Sequence, residues 1–210
     1  MAKPPSDDEP LLSGVSRRTF LKTAGVGAAA TSLLGAATTA ASATVLGPEA
    51  VPLSLKVNGA LRTVTVEPRV TLLRALRNQL DLTGAKEVCD RGACGACTVM
   101  LDGKPIASCL MLAADAVGHD ITTVEGLGTP EKMSPVQAAF VEADALQCGF
   151  CTPGFVVAST ALLVHNPSPS LEDVKDGLAG NVCRCGTYSR VFEAVLKAAR
   201  ATPTRPGRKA

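Results

Sequence analysis

Eight cysteines, all after residue 88, fall at spacings that constrain this 210-residue chain more than any other feature. Cys89, Cys94 and Cys97 lie in CDRGACGAC, a C-x4-C-x2-C run, and Cys109 follows after eleven residues. Cys148 and Cys151 form a C-x2-C in QCGFC, and Cys183 and Cys185 form a C-x-C in CRC. The eight therefore divide into two groups of four. An even count first suggests a disulfide framework. Cys183 and Cys185 are, however, too close to pair easily without strain, and four bridges would suit a smaller chain.

The first group has the spacing of plant-type [2Fe-2S] ferredoxins. Four thiolates must converge on two irons, so a loop carrying three of them has to curl with its amides turned toward sulfur. Gly92 and Gly95 permit the required dihedrals, and Ala93 and Ala96 add little bulk. Zinc also takes four thiolates, commonly as two C-x2-C pairs. Cys94/Cys97 with Cys148/Cys151 would make such a site, but would leave Cys89, Cys109, Cys183 and Cys185 without a role.

The first 43 residues read as an export signal and are set apart from the fold. Arg17-Arg18 precede a weakly apolar stretch, Thr23 to Ala40, and Ala41-Ser42-Ala43 offers a cleavage site. This is a twin-arginine pattern, and the mature chain is expected to begin at Thr44. Such a route carries folded cargo, which suits a protein destined for the periplasm. Bare thiols there would be driven toward disulfides, whereas thiols already bound to iron would not. The leader holds four basic and three acidic residues of the chain's 21 and 19, leaving 17 against 16. That balance, with no Trp and one Tyr, gives no sign of nucleic-acid binding. No stretch after residue 44 is long and apolar enough to span a membrane.

Leu53 to Glu67 alternates around Asn58-Gly59 and predicts a β-hairpin. Thr71 is a candidate N-cap for a helix with Leu72, Leu73, Leu76 and Leu80 on one face. A second hairpin is expected to turn at Asp102-Gly103, and Ile121 to Val124 to form a short strand. The fold class is thus α+β: a β-grasp, ferredoxin-like domain over 53–126, the linker LGTPEKM, then four helices over 134–200. Ser134 with Pro135 and Ser170 with Asp173 mark two helix starts. The remaining helices are expected over Pro153 to His165 and Tyr188 to Arg200. Residues 201–210 read as a disordered tail.

The other candidate groups have plain readings. His119 and His165 have no partners at metal spacing and read as surface residues. Arg184 is a solvated cation or a screen for cluster charge, and Tyr188 a core or interface residue. VEGLG is too sparse in glycine for a phosphate loop and reads as a turn. No catalytic nucleophile constellation is present in the pattern.

CDRGACGACTVMLDG, VEGLG, SPVQAAFVE, QCGFCTPG and GNVCRCGTY together resemble the iron–sulfur subunit of the xanthine oxidase family of molybdenum hydroxylases. The resemblance covers nearly all of residues 53 to 200, and a twin-arginine leader on such a subunit resembles periplasmic aldehyde oxidoreductase. It implies two [2Fe-2S] clusters, one held by Cys89, Cys94, Cys97 and Cys109, the other by Cys148, Cys151, Cys183 and Cys185. It also implies that Gln147 and Cys185 approach a pterin. A molybdopterin-binding large subunit and an FAD-binding subunit, or another acceptor, are the implied partners. The implied function is relay of electrons from the molybdopterin centre through both clusters to that acceptor, with no substrate site on this chain. Many members read CRCTGY where this chain reads CRCGTY. That leaves the ligands in place but leaves the substrate open, with an N-heterocycle (isoquinoline-type) hydroxylase as the alternative to an aldehyde oxidoreductase.

Overall fold

The computed structural model describes residues 47–201. The expected leader lies outside the described residues, as does the expected tail apart from Ala201, which is still helical. The described residues belong to one compact unit.

Strands β1 (Val51–Val57) and β2 (Ala60–Val66) pair antiparallel from Val51↔Val66 to Val57↔Ala60. Asn58 and Gly59 both take positive φ, 51° and 80°, as the tight two-residue turn requires. Alternation sends Leu53, Leu55 and Val57 of β1 and Val64 and Val66 of β2 into the core. Helix α1 (Leu72–Gln79) starts where Thr71 Oγ1 accepts the Arg74 N–H, and buries Leu72, Leu73 and Leu76 completely. The second hairpin joins β3 (Thr98–Leu101) to β4 (Lys104–Ala107) through Asp102 and Gly103, again at positive φ.

Strand β5 (Asp120–Thr122) runs between the hairpins, parallel to β1 and antiparallel to β3, so the sheet order is β2-β1-β5-β3-β4. It stops two residues before the expected end, because Val124–Gly126 closes into a 3-10 turn. Asn58 sets that turn: its Oδ1 accepts the Thr123 N–H at 2.9 Å, and its Nδ2 donates to Thr123 Oγ1 at 3.0 Å.

The expected linker is a closed loop rather than a strap, with Thr129 and Lys132 exchanging backbone hydrogen bonds. Helix α2 (Pro135–Glu142) opens on a capping box between Ser134 and Gln137, and α4 (Leu171–Gly177) on one between Ser170 and Asp173. Helix α3 (Thr152–His165) is apolar all round and buried along most of its length. It packs on β3, β4, α2, α4 and α5 (Tyr188–Ala201). The described residues thus hold five helices, one against the sheet and four after residue 134. One core lies between α1 and the sheet, and a second among the later helices. Met100, Val157 and Ala161 make a small third cluster where α3 meets the sheet. No helix among the described residues is long and apolar enough to cross a membrane.

Leu76 sits at the centre of the first core with no exposed surface. Leu76→Ala is expected to cost about 2–5 kcal/mol, read as a lowered midpoint in denaturant unfolding followed by circular dichroism.

Candidate metal centres

The first cysteine loop is held from outside by α1. Arg74 donates from Nε and Nη2 to Glu87 Oε1 (3.2 and 2.9 Å) and from Nη2 to Asp90 Oδ2 (3.1 Å). Arg77 Nη1 donates to the carbonyls of Thr83 (2.9 Å) and Ala85 (2.8 Å). Within the loop Asp90, Gly92 and Gly95 take positive φ (50°, 70° and 67°), which curls the backbone around a common interior. A side chain at Gly92 would strike Leu110, its Cβ falling 2.4 Å from Leu110 Cδ1. Cys109 arrives from the end of β4, and the Gly92 N–H donates to its Sγ at 3.3 Å.

The four sulfurs of this loop interact with one another. Cys89 is brought down to about 7, first by the Arg91 N–H and then by the Cys94 thiol. Cys109 is pushed up to about 11 by burial first, then by Cys97, with Cys89 adding to it. Amides of Ala93 and Cys94 also face Cys89. Amide donors aimed at sulfur are what a cluster loop needs, because they stabilise negative charge on the thiolates and the cluster.

The second group forms at the mouth of the later helices. Cys151 is the N-cap of α3, and Gly149 just before it takes φ 79°. Cys183 and Cys185 lie ahead of α5, with Gly186 at φ 82°. Cys151 is pushed up to about 12 by burial first and by Cys183 next, with a smaller contribution from Cys148. Burial opposes ionisation of Cys183, but the Thr187 N–H, the Cys151 thiol and the amides of Gly186 and Cys185 outweigh it and lower its pKa. Cys185 receives the Cys148 N–H, yet the Cys148 thiol, burial and the charges of Cys148 and Cys183 raise it. Tyr188 Oη accepts the Cys183 N–H at 2.8 Å and packs edge-on to Phe155.

All eight cysteines are free. Each group brings together cysteines that are far apart in sequence, and the thiol interactions just described fall inside the groups. Among the described residues, no three of His, Cys, Asp and Glu converge on a point suited to a single metal ion. A binuclear cluster takes two thiolates at each iron, so its ligands need not meet at one point. Eight thiols in two groups, left-handed glycines and inward amides fit two [2Fe-2S] clusters.

Gln147 and Cys185 are neighbours at the surface, Gln147 Nε2 donating to Cys185 O at 3.2 Å. Arg184 is exposed, and Tyr188 is half-buried in the second core. His119 pairs with Asp102 (2.5 Å) at the hairpin tip, and His165 is exposed at the end of α3. Asn181 and Gly154 bring the two cysteine groups together, yet nothing in their spacing marked them. Asn181 Nδ2 donates to Gly95 O at 2.9 Å, and a Cβ on Gly154 would fall 2.3 Å from that same oxygen.

Residues 55–120 match the 2Fe-2S iron-sulfur cluster binding domain and residues 123–196 the [2Fe-2S] binding domain. Residues 14–34 match the twin-arginine translocation pathway signal sequence. The aldehyde oxidoreductase iron-sulfur-binding subunit PaoA of Escherichia coli O157:H7 is 40% identical, with 91% of each chain covered. The nicotine 6-hydroxylase small subunit of Paenarthrobacter nicotinovorans is 51% identical over 70% of this chain and 89% of its own. Among solved structures, quinoline 2-oxidoreductase from Pseudomonas putida 86 superposes with a TM-score of 0.70 at 42% identity, covering 73% of this chain and 96% of that one. The chain belongs to the iron–sulfur subunits of the xanthine oxidase family of molybdenum hydroxylases.

As such a subunit it is the [2Fe-2S] component of a multi-subunit oxidoreductase, with two domains that each bind a cluster. The twin-arginine pattern read at Arg17-Arg18 is borne out by the match over 14–34. The close seat of Gly154 on the first loop gives a direct test of how the two halves meet. Gly154→Ala has to push Gly95 O aside, a backbone atom with little room to yield. A cost of about 1–3 kcal/mol is expected, with a lowered thermal midpoint and reduced iron content per purified chain.

Proposed function

We propose that this chain is the electron-transfer subunit of a molybdenum-containing aldehyde oxidoreductase, exported folded to the periplasm by the twin-arginine route. It carries electrons from a molybdopterin-binding large subunit toward an FAD-binding subunit or another acceptor. The observation behind this reading is the gathering of eight free cysteines into two groups of four, each lined with backbone N–H donors. The ligands assigned are Cys89, Cys94, Cys97 and Cys109 in a ferredoxin-like domain over 53–126. The second set is Cys148, Cys151, Cys183 and Cys185 in a four-helix domain over 134–200.

A bound [2Fe-2S] cluster accepts and releases one electron at a time. The chain's residues supply the rest. Cys97 and Cys109 are buried, which keeps water from much of the first site, whereas in the second only Cys183 is buried. The Gly92 N–H donates to Cys109 Sγ, and the amides of Arg91, Thr187 and Gly186 are turned toward sulfur closely enough to favour thiolate. Cys148 and Cys185 are exposed beside Gln147, and this is the edge proposed to face the pterin. Exposed Leu146, Phe150 and Val182 near that edge give it an apolar rim.

Aldehyde substrates are favoured because the likeness to PaoA extends over 91% of both chains. An N-heterocyclic substrate is the second reading, favoured by the 51% identity to the nicotine 6-hydroxylase small subunit and by the likeness to quinoline 2-oxidoreductase. Substrate choice would reside in the large subunit.

Electron paramagnetic resonance of the reduced, native complex is expected to give two [2Fe-2S] signals. Cys94→Ser should remove one and leave the other, with the chain still folded. Loss of both signals from a folded chain would break the division into two ligand sets. Turnover of the co-purified complex with aromatic aldehydes and with N-heterocycles decides between the substrate readings.

A further inference from the structure

The proposed ligand sets leave one contact between them without a role. Asn181 is 7% exposed, just ahead of Cys183, and its side chain reaches back 86 residues to the first cysteine loop. Its Nδ2 donates to Gly95 O at 2.9 Å and lies 3.4 Å from Thr98 Oγ1. The next residue, Val182, donates its N–H to Cys94 O at 2.9 Å. Two consecutive carbonyls of the first loop, Cys94 and Gly95, are thus held from the second.

The direction of these bonds has a consequence inside the loop. No peptide bond among the described residues is cis. In a trans peptide the C=O and the following N–H point to opposite sides. Holding Cys94 O and Gly95 O outward therefore turns the Gly95 and Ala96 N–H groups toward the thiol side. Both oxygens are gripped by groups of the second loop, so the same bonds fix the distance between the loops. The contact has no slack: a Cβ at Gly95 would fall 2.5 Å from Gly180 O and 2.6 Å from Asn181 Nδ2. Replacing the donor by an apolar group would leave Gly95 O with Thr98 alone, whose Oγ1 donates to it at 2.6 Å.

We propose that Asn181 is a positioning residue that aims the Ala96 amide at the first cluster and, beside the Val182 N–H that holds Cys94 O, fixes that cluster's separation from the second. This rests on the two ligand sets assigned above. Amides directed at sulfur stabilise the more negative, reduced state, so losing their alignment makes a cluster harder to reduce. The second cluster has its own amide donors at Cys183 and serves as the internal control.

The test is Asn181→Leu, close in size and uncharged, in the native multi-subunit complex. The readouts are the midpoint potentials of both clusters and the spin–spin splitting between them in the fully reduced state. The expected result is two signals, a more negative potential for the cluster of Cys89, Cys94, Cys97 and Cys109, an unchanged potential for the other, and weaker splitting. Unchanged potentials and splitting in a fully loaded Asn181→Leu complex would overturn the role. Should Asn181→Leu fail to load, Asn181→Ser, too short to reach Gly95 O, carries the same comparison. A wild-type complex with fewer than two [2Fe-2S] signals would instead overturn the ligand sets themselves, and the positioning role with them.

Discussion

A peptide loop that turns its amides toward a cluster of sulfurs must turn its carbonyls away, and those carbonyls still need donors. Most of the architecture around the first loop answers that requirement. Cys89 O accepts from Arg91 Nε, Cys94 O from the Val182 N–H, and Gly95 O from Thr98 and Asn181. Ala96 O accepts from the Lys86 N–H, and Cys97 O from Ser108 Oγ. Donors for five carbonyls therefore come from the loop, from the next strand, from the residue after β4 and from the helical half. The inside of the loop is specified partly by what is fastened to its outside.

The same requirement explains why the described residues make one compact unit although two cores are present. Val182 and Asn181 reach the first loop where the start of α3 approaches it closely. Gly154, with no side chain, allows that approach at the first turn of α3, and Met100, Val157 and Ala161 seal the seam further along. Cation–π contact of Lys86 with Phe150, at 5.9 Å, adds a tie at the rim. The two cysteine groups differ in exposure: Cys97 and Cys109 are both buried, whereas Cys148 and Cys185 are both exposed. Exposure is one of the variables that set cluster potential, so the fold provides two unlike electrostatic environments within one compact unit.

Features with a local cause were readable from the sequence. Asn58-Gly59 and Asp102-Gly103 turn as expected because adjacent positive-φ positions are tolerated by few residue pairs. Thr71, Ser134 and Ser170 cap helices because a short side-chain oxygen can meet an unpaired amide nearby. The cysteine groups were visible because ligand spacing is a local constraint on a curled loop. What stayed hidden is long-range. The parallel pairing of β1 with β5 joins residues more than sixty positions apart and leaves no period in the sequence. Asn181 reads as one polar residue in GNVCRC, and its partner is a backbone oxygen, which has no sequence signature at all. The early end of β5 follows from Asn58, at the end of the neighbouring strand β1, whose side chain holds Thr123 at the start of the 3-10 turn from far away in sequence.

These couplings bear on why such a chain would carry a twin-arginine leader. The first loop obtains its donor for Cys94 O, and the Asn181 donor for Gly95 O, only when the helical half is in place. Its cysteines are therefore presented in their final geometry only by a chain that has already folded. Cys148 and Cys185, being exposed, would be the thiols most open to oxidation if they met an oxidising compartment without metal. The geometry of the first loop and the docking of the two halves are thus interdependent, and an unfolded chain would cross a membrane with neither. A route that carries folded cargo removes that difficulty, and the signal match over residues 14–34 is what this interdependence would require of the leader.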